Sequence, residues 1–244
     1  MGFFSPKYIA AILFIIAVLL TGLFLWANLR NQNSLKPTIT ATTELIKTED
    51  HGPKHSVIGE SVQGREIHAY TYGSGETRLV FIGGIHGGYE WNSVLLSYAF
   101  MDYLDANAES IPDNLSVTVI PSANPDGVYK VIGKEGRFTS GEVPADISTE
   151  PGRFNANAVD LNRNFDCQWK PESMWRENVV SAGSKPFSEP ESKAIRDFVL
   201  EHHPDAVVFW HSQANAVYPA ECGGDGLVEQ LEPGGQVVLR RGQR

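Results

Sequence analysis

The feature that most limits the fold is a short apolar run, Leu79-Val80-Phe81-Ile82, cut off by Gly83-Gly84 and followed by apolar residues at helical spacing. A run without polar alternation marks a strand buried on both faces, because every side chain then needs an apolar neighbour. Val94, Leu95, Tyr98, Met101 and Leu104 recur at the interval of one helix face, with Asn92 or Ser93 as the expected cap. The alternation returns further along. Leu115 to Ile120 reads as a strand closed by Pro121. Ser188 and Glu191 predict a capping box, with Pro190 in the first turn, for a helix burying Ala194, Ile195, Phe198 and Val199. That helix is expected to end near His202-His203, before a second buried strand, Ala206-Val207-Val208-Phe209-Trp210. Earlier, Val57-Ile58-Gly59 and Ile67 to Tyr72 flank a Gln63-Gly64 turn and predict a hairpin. Strands alternating with helices predict an α/β domain, a mixed, largely parallel sheet flanked by helices.

In such sheets ligands bind beyond the carboxyl ends of the strands. Two segments stand there, Gly84-Ile85-His86 and His211-Ser212. A catalytic zinc takes three protein ligands and keeps a fourth position for water. His86 and Glu90 lie together where the chain leaves a strand for a helix, and His211 adds a donor from a separate strand end. Gly83, Gly84, Gly87 and Gly88 clear side chains from around them, which lets other groups approach the backbone. His86, Glu90 and His211 are therefore the expected ligands of one zinc ion. The other dense polar cluster is Asp160-Leu161-Asn162-Arg163-Asn164-Phe165. An arginine fork grips a carboxylate bidentately, so Asn162 and Arg163 are expected to bind a substrate's free carboxylate. Asp160 is expected to orient a zinc-bound histidine through its far nitrogen. Asn124-Pro125-Asp126-Gly127 reads as a tight turn.

The net charge of −9 excludes a nucleic-acid partner, since phosphate binding needs clustered Lys and Arg. The one dense basic group, Arg240, Arg241 and Arg244, reads as a solvated tail. Tyr8 to Leu29 carries no charge, and a helix of that length spans roughly 33 Å, enough to cross a bilayer. The run is longer than a signal-peptide core and ends in Trp26-Ala27-Asn28-Leu29-Arg30 without a good cleavage site. Residues 1–30 are thus expected to anchor the protein in a membrane, with the following domain outside the cytoplasm; secretion after signal cleavage is the alternative. Pro6 stands where a myristoylation motif needs Ser or Thr. Residues 31–55, rich in Thr, Asn, Lys and Glu, read as a linker. Cys167 and Cys222 are expected to bridge in an oxidising compartment, closing a loop worth ~4 kcal/mol in the chain-entropy model, with two buried thiols as the alternative.

Five segments in series resemble the zinc carboxypeptidase family, which includes the carboxypeptidase A and B enzymes. They are Ile82-Gly83-Gly84-Ile85-His86-Gly87-Gly88-Tyr89-Glu90, Pro121-Ser122-Ala123-Asn124-Pro125-Asp126-Gly127, Val159-Asp160-Leu161-Asn162-Arg163-Asn164-Phe165-Asp166, Pro186-Phe187-Ser188-Glu189-Pro190-Glu191 and Trp210-His211-Ser212. The resemblance implies a peptidase that removes C-terminal residues by water attack. It implies zinc on His86, Glu90 and His211, support of His86 by Asp160, and capture of the terminal carboxylate by Asn162 and Arg163. It also implies an oxyanion role for Arg153, in Gly152-Arg153-Phe154-Asn155, with Arg137 as the fallback, and a glutamate as general base.

Two departures stand out. The family spaces its first ligands His-x-x-Glu, whereas three residues separate His86 from Glu90. The family's catalytic glutamate lies well beyond the last zinc histidine, yet only 33 residues follow His211. Glu221, Glu229 and Glu232 lie there without the family context. The expectation is an incomplete domain over 56–222, an atypical tail over 223–244, and a truncated or frame-disrupted family member without its base. The alternatives are an N-acyl amino acid deacylase of the same fold and a non-catalytic, membrane-tethered binder of peptide ends.

Overall fold

The computed structural model describes residues 52–212 and one further strand, Val237–Arg240. In chain order its strands are β1 (Lys54–Glu60), β2 (Glu66–Gly73), β3 (Thr77–Ile82), β4 (Leu115–Ile120), β5 (Glu172–Trp175), β6 (Asn178–Ser181), β7 (Ala206–Phe209) and β8 (Val237–Arg240). Six of them form one mixed sheet in the order β1-β2-β4-β3-β7-β8, while β5 and β6 make a separate hairpin. The inner strands β4, β3 and β7 run parallel. The outer pairings, β1 with β2, β2 with β4, and β7 with β8, are antiparallel.

The apolar run at residues 79–82 is β3, and its place between β4 and β7 explains why it lacks polar alternation. Val80 and Ile82 join Ile67, Ile120, Ile195 and Phe198 on one face of the sheet. Phe81 turns the other way, toward Val119, Met101 and Trp210. Both faces therefore need a helical cover. α1 (Trp91–Ala106) supplies Met101 and Leu104 to the second face, and α3 (Pro190–His202) supplies Ala194, Ile195 and Phe198 to the first. Between them in sequence lies α2 (Pro125–Ile132). Each fully buried aliphatic side chain, Ile82 and Ile195 among them, contributes about 1.5–3 kcal/mol.

The expected hairpin is formed by β1 and β2, with an irregularity between Val57 and Gly59. β1 begins at Lys54, inside the last residues read as linker. Three local expectations are corrected. α1 is capped at Glu90 rather than at Asn92 or Ser93, because a 3-10 turn over Gly87–Glu90 runs straight into it and leaves no extended residue there. Ser93 instead donates its hydroxyl to the Glu90 carbonyl at 2.7 Å and accepts the Gly84 N–H at 3.0 Å. Asn124-Pro125-Asp126-Gly127 opens α2 and is not an isolated turn: Asn124 caps the helix by accepting the Gly127 N–H at 2.9 Å.

The third correction concerns α3, where the capping box does not form. Glu191 is fully buried, and its carboxylate accepts the Val62 N–H at 3.1 Å and the Asn155 amide at 3.0 Å. Its carboxylate is therefore engaged by groups outside the helix, and the N-cap residue, Glu189, has no side-chain cap hydrogen bond. Burial pushes the Glu191 carboxyl above its usual pKa, Asp126 adds to the rise, and the hydrogen bonds only partly oppose it. Among the described residues no helix is long and apolar enough to cross a membrane. The expected span, Tyr8 to Leu29, lies outside the described residues.

Candidate metal centre

Register brings the two strand-end segments together. β3 and β7 pair so that Ile82 faces Phe209, and the Trp210 N–H donates to the Ile82 carbonyl at 2.8 Å. His86 and His211 follow from these two adjoining ends. The loop carrying His86 is also fastened to the loop after β4. Gly83 and Gly84 offer their carbonyls to the N–H groups of Ala123 and Asn124 at 2.9 and 3.0 Å. Gly87 then turns with φ +46, and a Cβ there would lie 2.5 Å from the Gly152 carbonyl oxygen. Only glycine fits both conditions. The tight 3-10 turn that follows absorbs the additional residue between His86 and Glu90 and swings the Glu90 carboxylate back beside the histidine.

Glu90 stands between the two rings. Its Oε1 lies 2.9 Å from Nδ1 of His86 and its Oε2 lies 3.0 Å from Nδ1 of His211. The ring centroids are 4.9 Å apart, and the donor atoms of all three residues fall within 4.8 Å of one another. Burial works against ionisation of Glu90. The hydrogen bonds and charge of His211 and His86 together outweigh it and hold the carboxyl down at about 2. Each nitrogen–oxygen contact here needs a proton or a cation between its atoms, since a carboxylate only accepts. Two imidazoles and one carboxylate form a donor set that zinc takes, and three protein donors leave a position for water. The residues present fit the metal.

Asp160 stands behind His86, with Oδ1 at 3.4 Å from Nε2 of the ring. That nitrogen is buried and has no closer hydrogen-bond partner. Asp160 also has a second function that the sequence reading missed. Its Oδ2 accepts from both Nε and Nη2 of Arg153, at 3.0 and 2.8 Å, and both residues are buried. Burial raises the Asp160 carboxyl, but His86, Arg153 and Arg163 outweigh it and bring the pKa to about 2. Arg153 lies over the Trp175 ring, 4.6 Å from its centroid, and borders a cleft of about 760 Å³ that Glu90 and Ser212 also line. Arg137 is elsewhere, paired with Asp102 at 2.7 Å over the Tyr98 ring.

Asn162 gives its backbone N–H to Asp160 at 3.1 Å. Arg163 donates to the Ser173 hydroxyl and the Asn162 carbonyl at 3.2 and 3.3 Å, and to no carboxylate among the described residues. Neither residue lines the cleft. The cleft wall is instead built by Tyr89, Trp175, Arg176 and Glu150, none of which the sequence reading singled out. Arg176 sits at the β5–β6 turn, bonded to Glu150 at 2.6 Å and to the Tyr89 hydroxyl at 3.0 Å. The alternation Ser173-Met174-Trp175 was the available signal, since Ser173 meets Arg163 and Trp175 meets Arg153 while Met174 is exposed. Glu90 and Glu150 are the carboxylates of the cleft among the described residues. Glu221, Glu229 and Glu232 lie outside the described residues, as does Cys222, the expected partner of Cys167.

A family model described as zinc carboxypeptidase matches residues 41–225. Bacteriocin BCN5 of Clostridium perfringens is 34% identical over 147 residues, which cover 59% of this chain and 15% of that protein. Carboxypeptidase B of Astacus astacus is 28% identical over 188 residues, covering 72% of this chain and 57% of that enzyme. The solved structure of carboxypeptidase A from Helicoverpa armigera shares the fold, with a TM-score of 0.52 at 24% identity over 69% of this chain and 43% of that one. The chain thus spans less than two thirds of the length of each of these relatives. By its sequence match over most of its length, this chain belongs to the zinc carboxypeptidase family.

Proposed function

We propose that this chain carries the metal-binding and carboxylate-binding residues of a zinc-dependent metallocarboxypeptidase that removes C-terminal residues from peptides. The observation that carries the reading is the Glu90 carboxylate shared between Nδ1 of His86 and Nδ1 of His211, with Asp160 behind His86. Zinc bound there would lower the pKa of a water molecule and polarise a carbonyl. Asp160 holds the His86 ring by its far nitrogen, so that Nδ1 keeps its lone pair toward the metal position. Arg163, which donates no hydrogen bond to a carboxylate among the described residues, takes the terminal carboxylate of the peptide, with Asn162 beside it. The cleft, which Glu90, Arg153 and Ser212 line, would receive the rest of the peptide. Arg153 would meet the negative charge developing on the scissile carbonyl, a role supported by its position at the cleft wall.

Transfer of the water's proton to the leaving amine needs a further carboxylate, because Glu90 belongs to the metal position and Glu150 is tied to Arg176. The test is to purify the chain, load it with zinc and offer peptides with free or amidated C-termini. Zinc-dependent release of the last residue from free C-termini alone supports the peptidase. Carboxylate-dependent binding without release supports a binder of peptide ends. Absence of both sinks the proposal. We also propose that Tyr8 to Leu29 anchors the protein in a membrane, a reading supported by its uncharged length and tested by extraction of membranes at alkaline pH.

A further inference from the structure

β1 and β2 bring two histidines together that belong to neither the metal centre nor the cleft. His55 stands across from Tyr70 and His68 across from Val57, which makes the histidines diagonal neighbours of the antiparallel pair. Their rings meet with centroids 5.0 Å apart, and Nε2 of His55 lies 3.0 Å from Nδ1 of His68. Two ring nitrogens so close share either one proton or one cation. A metal held at its usual distance of about 2.0–2.1 Å by two imidazoles spaces their nitrogens by about 2.9 Å at a right angle and about 3.4 Å at the tetrahedral angle. The observed separation falls between these values.

Both rings are held in place before any ion arrives. His55 stacks on Tyr70, with centroids 4.8 Å apart and planes at 22°. The Glu66 carboxylate stands 3.7 Å from Nε2 of His68, the nitrogen that faces away from His55. A carboxylate at that distance makes no hydrogen bond, but its charge favours the proton on Nε2 and so leaves the Nδ1 lone pair directed at the meeting point. His55 is exposed and His68 half-buried, so a cation can enter from solvent.

We infer that His55 and His68 form a second metal site, at the sheet edge, for a divalent ion that favours imidazole, such as zinc, nickel or copper. With two protein donors the other positions go to water, which makes the site weaker than one with three donors. An ion there ties the edge strand β1 to β2 beside the irregularity at Val57 and Gly59.

The test is a calorimetric zinc titration of the full chain at neutral pH, beside His55→Ala, His68→Gln and His211→Ala. The expected result is two equivalents in the unmodified protein, the second weaker than the first. His55→Ala and His68→Gln should lose the weaker equivalent and keep the tighter one, which also shows that the domain is still folded. His211→Ala should keep the weaker equivalent, so this site and the proposed catalytic centre succeed or fail separately. A single equivalent in the unmodified protein, or a weaker equivalent that persists in both edge-strand variants, overturns the inference.

Discussion

Arg153 closes Nε and Nη2 on a single oxygen of Asp160, at 3.0 and 2.8 Å, inside the protein. The other oxygen of the same carboxylate faces His86. One buried acid therefore both neutralises the arginine at the cleft wall and sets the ring of a proposed metal ligand.

Asp160→Asn should damage both functions. Arg153 would be left buried without its counter-ion, at a cost of about 3–5 kcal/mol in chemical denaturation. Zinc affinity, measured by chelator competition, should fall about 10–100-fold. Adding Arg153→Met should recover part of the stability and none of the zinc affinity.

Arg163→Ala should weaken binding of peptides with free C-termini by about 2 kcal/mol or more, read by calorimetry, because a charge-assisted pair is lost. Amidated peptides should bind the variant and the unmodified protein alike. Arg163→Lys should restore only part of the difference, since lysine keeps the charge and lacks the fork.

Gly87→Ala should destabilise the fold by at least about 2 kcal/mol, seen as a lower melting temperature. The new Cβ would meet the Gly152 carbonyl in a backbone conformation with φ +46. Zinc binding should weaken as well, because the turn that returns Glu90 to His86 starts at this residue.

Glu90 and Asp160 both have folded-state pKa values of about 2, below those of an unfolded chain. Their stabilisation is fully present above the unfolded value and is lost as pH falls through the folded one. In the zinc-free protein each should contribute on the order of 2 kcal/mol that disappears between roughly pH 4 and 2. Melting temperature against pH should fall in that window, and less steeply in Glu90→Gln. Glu191 acts in the opposite sense: its pKa is raised, so its contribution is lost as pH climbs through the folded value.

The sequence revealed what depends on residue type and local pattern. Leu79 to Ile82 could be read as a doubly covered strand because four apolar residues in succession permit little else. His86 and His211 could be expected near one another because both follow the carboxyl ends of buried strands. Glu191 shows the limit of such patterns, because a capping-box spacing says nothing of a distant Val62 N–H that claims the same carboxylate. The Arg153–Asp160 pair and the Trp175–Arg176 wall were hidden for a related reason. Both depend on how the segment between α2 and α3 folds back over the site, and apart from the short β5–β6 hairpin that segment has little regular periodicity to read.

The pairing of Ile82 with Phe209 has a consequence for the order of assembly. Glu90 and His211 are 121 positions apart in the chain, and they meet because two parallel strands lie side by side. Parallel pairing between remote segments forms slowly, since a long loop must close before the contacts reward it. A complete donor set can therefore exist only after β7 has docked beside β3. Tight zinc uptake during refolding would then act as a clock for that docking, starting late and ending with the sheet.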